Sequence, residues 1–192
     1  MNLFRTLRAA ALVCFTGAGL SSCLNAPNYP VEPSIDFDKI VVTRRPRVGG
    51  VVGVDTLKFV LSFRDGDGDL GLSQGDLSTP PYNQPPASTA RNHATNEYNY
   101  YIQPFLKNTA GQFVAFVNPG GQIGEYDGTF LRLDGTDAKP APLKGTLNYK
   151  LPLPLNGAPF RPGQVFRFEI SILDRALHES NKVTTSEVTL GG

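Results

Sequence analysis

Thr56-Leu57-Lys58-Phe59-Val60-Leu61-Ser62-Phe63 carries the clearest structural pattern in this chain. Its apolar side chains stand at every second position, namely Leu57, Phe59, Leu61 and Phe63. A period of two is typical of a β-strand that packs one face in a core and turns the other toward solvent. The same alternation returns near the end of the chain, at Phe166, Phe168, Ile170 and Ile172. The pattern predicts two central strands, at 54–64 and 164–174.

Six further segments show shorter strand patterns: 37–44, 97–106, 112–117, 129–133, 144–151 and 182–190. A turn at Lys107 to Gly111 is expected to join two of them as a hairpin. Glycine and proline make up 36 of 192 residues and interrupt every long apolar run, which leaves no room for a helix. The sequence therefore predicts one all-β domain over residues 35–192. The expected fold is an immunoglobulin-like antiparallel β-sandwich of seven to eight strands, with a small β-barrel or jelly roll as the alternative.

An Asp-Gly run follows the first central strand in Phe63-Arg64-Asp65-Gly66-Asp67-Gly68-Asp69-Leu70-Gly71. Three carboxylates at every second residue supply the oxygen ligands that Ca²⁺ takes, and the glycines let the backbone curl around an ion. Without a cation, carboxylates at roughly 4 Å would repel by up to about 4 kcal/mol in a half-solvated site. The run predicts a calcium site, and a solvated Asp-Gly turn is the alternative.

Two more carboxylates are candidate ligands for this ion, Asp174 and Asp76. If 54–64 is strand B and 164–174 is strand F, the loops after them lie at the same end of a sandwich, which brings Asp174 close. The alternative is that Asp174 only opens a hairpin turn. Asp76 stands eleven residues after Asp65, as in an EF-hand. Leu70 replaces the glycine of that motif and the flanking helices are missing, so an EF-hand is excluded.

Residues 1–22 are predicted to be a signal peptide. Arg5 and Arg8 precede a mostly apolar run, and Leu20-Ser21-Ser22-Cys23 resembles the lipobox of bacterial lipoproteins, in which Cys23 is lipidated. The alternatives are an ordinary secretory signal or a short transmembrane helix, but the apolar run is shorter than the roughly 20 residues that a span needs.

Residues 23–34 contain three prolines and are predicted to be an extended tether of roughly 30 Å, or else a disordered tail.

The charge of the processed chain bears on its partners. Removal of residues 1–22 would leave 170 residues, with 16 basic and 17 acidic side chains. That balance argues against nucleic acid, which requires a basic face. It also leaves no cysteine pair to form a disulfide, since Cys14 would be removed with the signal peptide. The membrane is therefore the one partner that the sequence indicates, through the lipid anchor.

The lipobox, the FRDGDGDLG run and a later Asp174-Arg175-Ala176-Leu177-His178-Glu179-Ser180-Asn181 segment together resemble a family of Bacteroidota lipoproteins. Its members carry a D-G-D-G-D-[I/L]-G motif on a single immunoglobulin-like domain. This chain departs from the family's usual D-R-A-G-N-x-S-N at Leu177 and His178. The resemblance implies an outer-membrane location in a Gram-negative cell and bound Ca²⁺, and it implies no activity. Because Leu24 to Pro27 carry no acidic residue, the periplasmic face is favoured over the cell surface.

An enzyme is not expected, although Gly71-Leu72-Ser73-Gln74-Gly75 matches the nucleophile elbow G-x-S-x-G. That elbow needs a helix after the serine and a histidine as base, whereas a proline-rich segment follows Ser73. Only His93 and His178 are available, and neither has a recognisable context. A hydrolase that uses Ser73 is therefore the least favoured function.

The leading functional hypothesis is a non-enzymatic, lipid-anchored envelope domain with a calcium-stiffened loop and a structural or partner-binding role. The alternative is a surface glycan-binding protein, because residues 65–97 form a long irregular segment with aromatic and amide side chains. These are Tyr82, Asn83, Gln84, Arg91, Asn92 and His93, followed by Tyr98, Tyr100 and Tyr101. A purely structural interpretation, in which the tyrosines only cover the edge of the sandwich, is favoured over glycan capture.

Overall fold

A computed structural model describes residues 27–86, 95–122, 124–135 and 139–192. The predicted signal peptide, residues 1–22, and the predicted lipidation site, Cys23, lie outside the described residues. In the part of the chain that is described, no helix has the length and apolarity of a membrane span.

The described residues form eight strands and one short 3₁₀ turn, Asp76–Ser78. The strands are β1 (Ser34–Arg45), β2 (Val54–Asp65), β3 (Tyr100–Lys107), β4 (Phe113–Ala115), β5 (Leu143–Pro154), β6 (Val165–Ile172), β7 (Val183–Thr184) and β8 (Val188–Thr189).

All strand pairs are antiparallel and belong to two sheets. One sheet has the order β1-β2-β5, and the other has the order β4-β3-β6, with β7 and β8 both paired to β6. In immunoglobulin lettering these orders are A-B-E and C′-C-F-G, so β2 is strand B and β6 is strand F. The sheets do not close into a barrel. The predicted all-β sandwich is confirmed.

The core lies between the two sheets and is formed by the alternating side chains of the central strands. Leu57, Phe59 and Leu61 of β2 are fully buried, and so are Phe166, Phe168, Ile170 and Ile172 of β6. Phe59 meets Phe168 edge to face, with ring centroids 4.9 Å apart. Each such side chain contributes about 1.5–3 kcal/mol by leaving water. The period-two pattern in the sequence therefore marks the buried faces of strands B and F.

The predicted hairpin is present, because β3 and β4 pair antiparallel across residues 108–112. The predicted strand at 129–133 does not form a regular ladder. Its Phe130 instead exchanges two hydrogen bonds with the side chain of Asn99, which accepts from Phe130 N at 2.8 Å and donates to Phe130 O at 3.1 Å. A buried amide side chain thus takes the place of a neighbouring strand, and only isolated bridges remain at Gly128 and Leu131.

The predicted last strand at 182–190 is split into β7 and β8. Thr185 interrupts it, because its Oγ1 accepts a hydrogen bond from Phe168 N at 3.0 Å while its own N–H donates to Phe168 O at 2.9 Å. The side chain replaces a backbone acceptor, so the ladder on β6 is broken at this point. Pairing resumes at Val188.

The beginning of β1 is fastened to the loop after β6. The side chain of Asn181 accepts a hydrogen bond from Ile35 N at 2.8 Å and donates one to Ile35 O at 2.9 Å. These two bonds join the first strand of one sheet to the loop between β6 and β7 of the other. The N-terminal edge of the domain is therefore held at the end of the sandwich where β2 and β6 finish.

Replacement of Phe59 by Ala is expected to lower the free energy of unfolding by about 3–5 kcal/mol, because it removes a fully buried ring and leaves a cavity. Urea unfolding followed by circular dichroism measures the change. Val114→Ala is the control, since Val114 is 47% exposed and its truncation should cost less than about 1 kcal/mol. Equal losses for the two variants would contradict this description of the core.

Candidate metal centre

The Asp-Gly run begins at the last residue of β2 and passes beside the loop that follows β6. Leu70 forms an isolated antiparallel bridge with Asp174. The carbonyl of Asp69 accepts a hydrogen bond from Arg175 N at 3.2 Å, and Asp69 Oδ2 accepts one from Ala176 N at 3.0 Å. The B–C and F–G loops thus meet at one end of the sandwich, where the strand assignment predicted them.

Three carboxylates converge at this meeting point, those of Asp65, Asp69 and Asp174. One oxygen from each lies within 4.8 Å of the others. Asp65 is 0% exposed and Asp174 is 2% exposed, so water reaches neither freely. If all three were ionised, each pair would repel by roughly 3.5 kcal/mol at an effective dielectric constant of about 20. The cluster requires either protons or a cation.

Four carboxylate oxygens at this end are buried without a hydrogen-bond partner. They are both oxygens of Asp65, Oδ1 of Asp67 and Oδ1 of Asp69. Buried polar atoms in folded proteins are nearly always paired, and a buried charge without a partner is costly. The amide of Gly68 favours the ionised form of Asp65, but it does not form a hydrogen bond of good geometry with either oxygen. A cation at the meeting point of Asp65, Asp69 and Asp174 would give the oxygens of Asp65 and Asp69 a partner, whereas Asp67 is not one of the three residues whose oxygens converge there.

The acidities of the cluster reflect burial first and mutual repulsion second. Burial, followed by the charges of Asp67, Asp69 and Asp174, raises the pKa of Asp65 to about 7. Burial and the charge of Asp174 raise the pKa of Asp69 to about 6. The pKa of Asp174 is also raised by burial. The metal-free folded protein therefore holds protons on this cluster at a pH where free aspartates are ionised.

His178 opposes part of the effect on Asp174. Its backbone N–H donates to Asp174 Oδ1 at 2.7 Å, and its ring Nδ1 lies 2.9 Å from Asp174 Oδ2. Both contacts favour the ionised carboxylate, and the carboxylate in turn raises the pKa of His178. Asp174 therefore also opens a hairpin turn, which was the predicted alternative to metal binding at this residue.

The glycines of the run allow other backbone segments to approach closely. Gly68 and Gly71 have φ angles of +75° and +88°, which side chains disfavour. A Cβ on Gly68 would overlap the carbonyl of Ala141, and one on Gly71 would overlap the carbonyl of Leu131. The loop is thus pressed between neighbouring segments, which hold the carboxylates in place.

An ion-pair network that sequence reasoning missed supports the cluster from one side. Arg175 donates to Gly71 O at 3.2 Å and binds the carboxylate of Asp134 at 2.9 Å. Arg132 binds the same carboxylate at 2.7 Å. The two guanidinium groups hold the pKa of Asp134 well below its usual range. Arg175 follows a candidate ligand directly, whereas Asp134 stands in a loop without any motif.

Asp76, the other candidate ligand, is not a member of the cluster. Its Oδ2 accepts hydrogen bonds from Ser73 N at 2.7 Å and from Ser73 Oγ at 2.8 Å. These bonds lower the pKa of Asp76 and fix the entry to the 3₁₀ turn. The spacing from Asp65 matched a calcium loop, but the chain turns at Gly71, and the carboxylate of Asp76 is held by Ser73. The same bonds engage Ser73, and a three-residue 3₁₀ turn follows it in place of the helix of a nucleophile elbow.

The tyrosines that suggested glycan capture are mostly buried. Tyr82 is 8% exposed and donates its hydroxyl to Arg175 O at 2.7 Å. Tyr100 is fully buried and stacks on Tyr149 with ring centroids 4.5 Å apart, and Tyr101 is also buried. Asn83 and Gln84 are exposed, whereas Arg91, Asn92 and His93 lie outside the described residues. The tyrosines pack the domain and do not form an exposed platform.

No protein-family profile, curated protein or solved structure matches this chain. The resemblance to the lipoprotein family therefore stays a prediction that depends on its motifs.

In the absence of divalent cations, the free energy of unfolding is expected to fall as the pH rises from about 4 to about 7. The pKa values of Asp65 and Asp69 are raised from 3.8 to about 7 and about 6. The folded state therefore binds more protons than the unfolded state in this range, and each proton lost on the way to pH 7 removes stability. Urea unfolding of dialysed, metal-free protein across this range measures the slope.

Asp65→Asn is the matched variant, because it keeps the shape of the side chain and removes the charge. It should flatten the slope and, at about pH 8 without cation, make the protein more stable than the wild type. A stability that rises with pH in the metal-free wild type would contradict the protonated cluster.

Proposed function

We propose that this chain is a non-enzymatic, lipid-anchored envelope domain that binds one Ca²⁺ ion between its B–C and F–G loops. The observation that carries this proposal is the carboxylate of Asp65, which is fully buried and has no hydrogen-bond partner on either oxygen. It lies within 4.8 Å of the carboxylate oxygens of Asp69 and Asp174. A divalent cation is the ligand that relieves both the missing partners and the repulsion.

The donor set favours calcium over other metals. The proposed side-chain donors are all carboxylate oxygens, from Asp65, Asp67, Asp69 and Asp174, and hard cations prefer such ligands. Zinc and the later transition metals select imidazole or thiolate donors, and the ring nitrogen of His178 that faces this end already contacts Asp174. Magnesium demands a near-ideal octahedron, whereas calcium accepts six to eight oxygens in flexible geometry. Backbone carbonyls and water would complete the shell.

The consequence of binding is mechanical. Asp65, Asp67 and Asp69 belong to the B–C loop and Asp174 belongs to the F–G loop, so an ion shared by them fastens the two sheets at this end. The same end holds the start of β1 through Asn181. We therefore assign the ion a stiffening role at the tethered end, in support of structural or partner-binding work. The lipid on Cys23 would anchor the domain to the outer membrane, at its periplasmic face.

Titration of the metal-free protein with Ca²⁺ at about pH 7.5 is expected to give a single site with a Kd on the order of 10⁻⁴ M, as in extracellular calcium modules. Calcium at about 100 times the Kd should stabilise the fold by about 2.7 kcal/mol. Isothermal calorimetry and thermal melts with and without calcium measure the two effects. Asp67→Asn with Asp69→Asn should abolish both.

Asp36→Asn with Asp38→Asn is the control. It removes two carboxylates at the same spacing from the solvent-facing side of β1, where Asp36 pairs with Arg64 and Asp38 with Ser62. Calcium affinity should stay within about twofold of the wild type, because these groups lie outside the cluster. No heat and no thermal shift with the wild type would refute the metal proposal, and so would equal losses in both double variants.

Asp76→Asn tests whether Asp76 is a calcium ligand, as its spacing from Asp65 predicts, or lies outside the site, as its bonds to Ser73 indicate. Because Asp76 is bound to Ser73 and lies outside the cluster, this variant is expected to keep its calcium affinity within about twofold. It should lose some stability through the weakened turn. A tenfold loss of calcium affinity with an unchanged melting temperature would restore Asp76 as a ligand.

A further inference from the structure

A basic cleft lies at the opposite end of the sandwich from the acidic cluster. It has a volume of about 510 Å³ and is lined by the connection between β1 and β2, the segment after β5 and the last residues of the chain. Gly53 lines it directly before β2 begins, whereas Asp65 ends that strand. Eleven residues of extended chain place the two ends about 36 Å apart. The cleft is therefore independent of the proposed metal site.

The side chain of Arg44 is held in place at this cleft by two neighbouring groups. Its Nε lies 3.6 Å from Asp55 Oδ2, and its Nη2 donates to Thr189 O at 3.2 Å. Asp55 is 2% exposed and also accepts a hydrogen bond from Gly191 N at 2.7 Å. The one carboxylate side chain that lines the cleft is thus neutralised by Arg44 and held by the backbone.

Arg45 and Arg47 supply charge that nothing in the described part of the chain neutralises. Both line the cleft, both are exposed, and neither guanidinium group has a hydrogen bond or ion pair with any described residue. Their backbones are held close by Gly53, where a Cβ would lie 3.2 Å from Arg47 N and 3.3 Å from Arg45 O. Two unpaired guanidinium groups beside a third, engaged one make a concave region of net positive charge.

We propose that this cleft binds a small anionic ligand that carries phosphate or carboxylate groups. Guanidinium groups present paired N–H donors that match the oxygens of carboxylates and phosphates, so Arg45 and Arg47 have the chemistry to hold such a group. The volume falls within the range of small-molecule sites, and the uncharged side chain of Asn156 adds a polar partner on the wall.

A membrane surface is the competing occupant. Val48 and Val51 form the tip of the connection between β1 and β2 and are 67% and 56% exposed. Apolar tips flanked by arginines also suit anionic bilayers. The cleft is concave, however, and its arginines line the cavity, which favours a ligand that enters over a surface that the tip would penetrate.

Calorimetric titration of the full chain with pyrophosphate, and separately with citrate, tests the proposal. The buffer should contain low salt and no divalent cation, because both probes bind calcium. Binding is expected for at least one probe, with an affinity that falls at least fivefold between 50 and 200 mM salt. Arg45→Gln with Arg47→Gln should weaken it at least tenfold without a change in melting temperature, since neither side chain has a structural partner.

Lys39→Gln with Lys150→Gln is the matched control, because it removes the same charge from exposed positions on β1 and β5. Its affinity should stay within about twofold of the wild type. Equal weakening in both double variants, or no binding of either probe by the wild type at 10 mM, would overturn the proposal. It would also be overturned if the protein ignored both probes but bound phosphatidylglycerol vesicles through Val48 and Val51, as tested by replacement of both with Ser.

Discussion

A carboxylate buried without a partner, that of Asp65, is the constraint on which this end of the molecule depends. Asp65 is the last residue of a central strand, so its burial follows from the packing of the sheets. The desolvation of such a group costs several kcal/mol when it is charged and unpaired. Either a proton or a cation must therefore accompany folding. The glycines of the Asp-Gly run and the loop after β6 determine which groups can provide that proton or cation with further contacts.

The neighbouring groups make a cation the better solution at neutral pH. A proton on Asp65 leaves the oxygens of Asp67 and Asp69 unpaired, whereas one divalent ion would reach donors from both loops. Arg175 does not neutralise the cluster fully, because its guanidinium is turned to Asp134 and to backbone carbonyls. The guanidinium group of Arg175 thus positions the loop, and the central carboxylates stay available.

The strands and most of the acidic site could be predicted because their signals are local or follow from topology. The alternation in 57–63 and 166–172 marks buried faces directly. The assignment of two strands as B and F was enough to predict that Asp174 lies near the Asp-Gly run.

Asp76 could not be placed by counting residues, since a turn at Gly71 and a bond to Ser73 redirect it. Residues 129–133 looked like a strand because the sequence does not reveal that Asn99 would satisfy Phe130. The basic cleft gave no signal either, because three arginines around Pro46 look like a solvated turn until the fold brings Asp55 and Asn156 beside them.

The two ends of the domain carry opposite chemistry, and the point at which the chain enters the domain would decide which end faces a membrane. The chain enters the domain at the acidic end, where the carbonyls of Tyr29 and Pro30 pack against Gly66 and where Asn181 holds the first strand. If lipid is attached at Cys23, the acidic end lies toward the bilayer and the basic cleft points away from it. Repulsion between the acidic end and anionic headgroups acts over about one Debye length, roughly 8 Å, which is shorter than the roughly 30 Å that an extended tether would span. The charge state of the cluster would therefore act within the domain and not on its distance from the surface, while the cleft, about 36 Å farther out by the length of β2, would stay open to soluble anions.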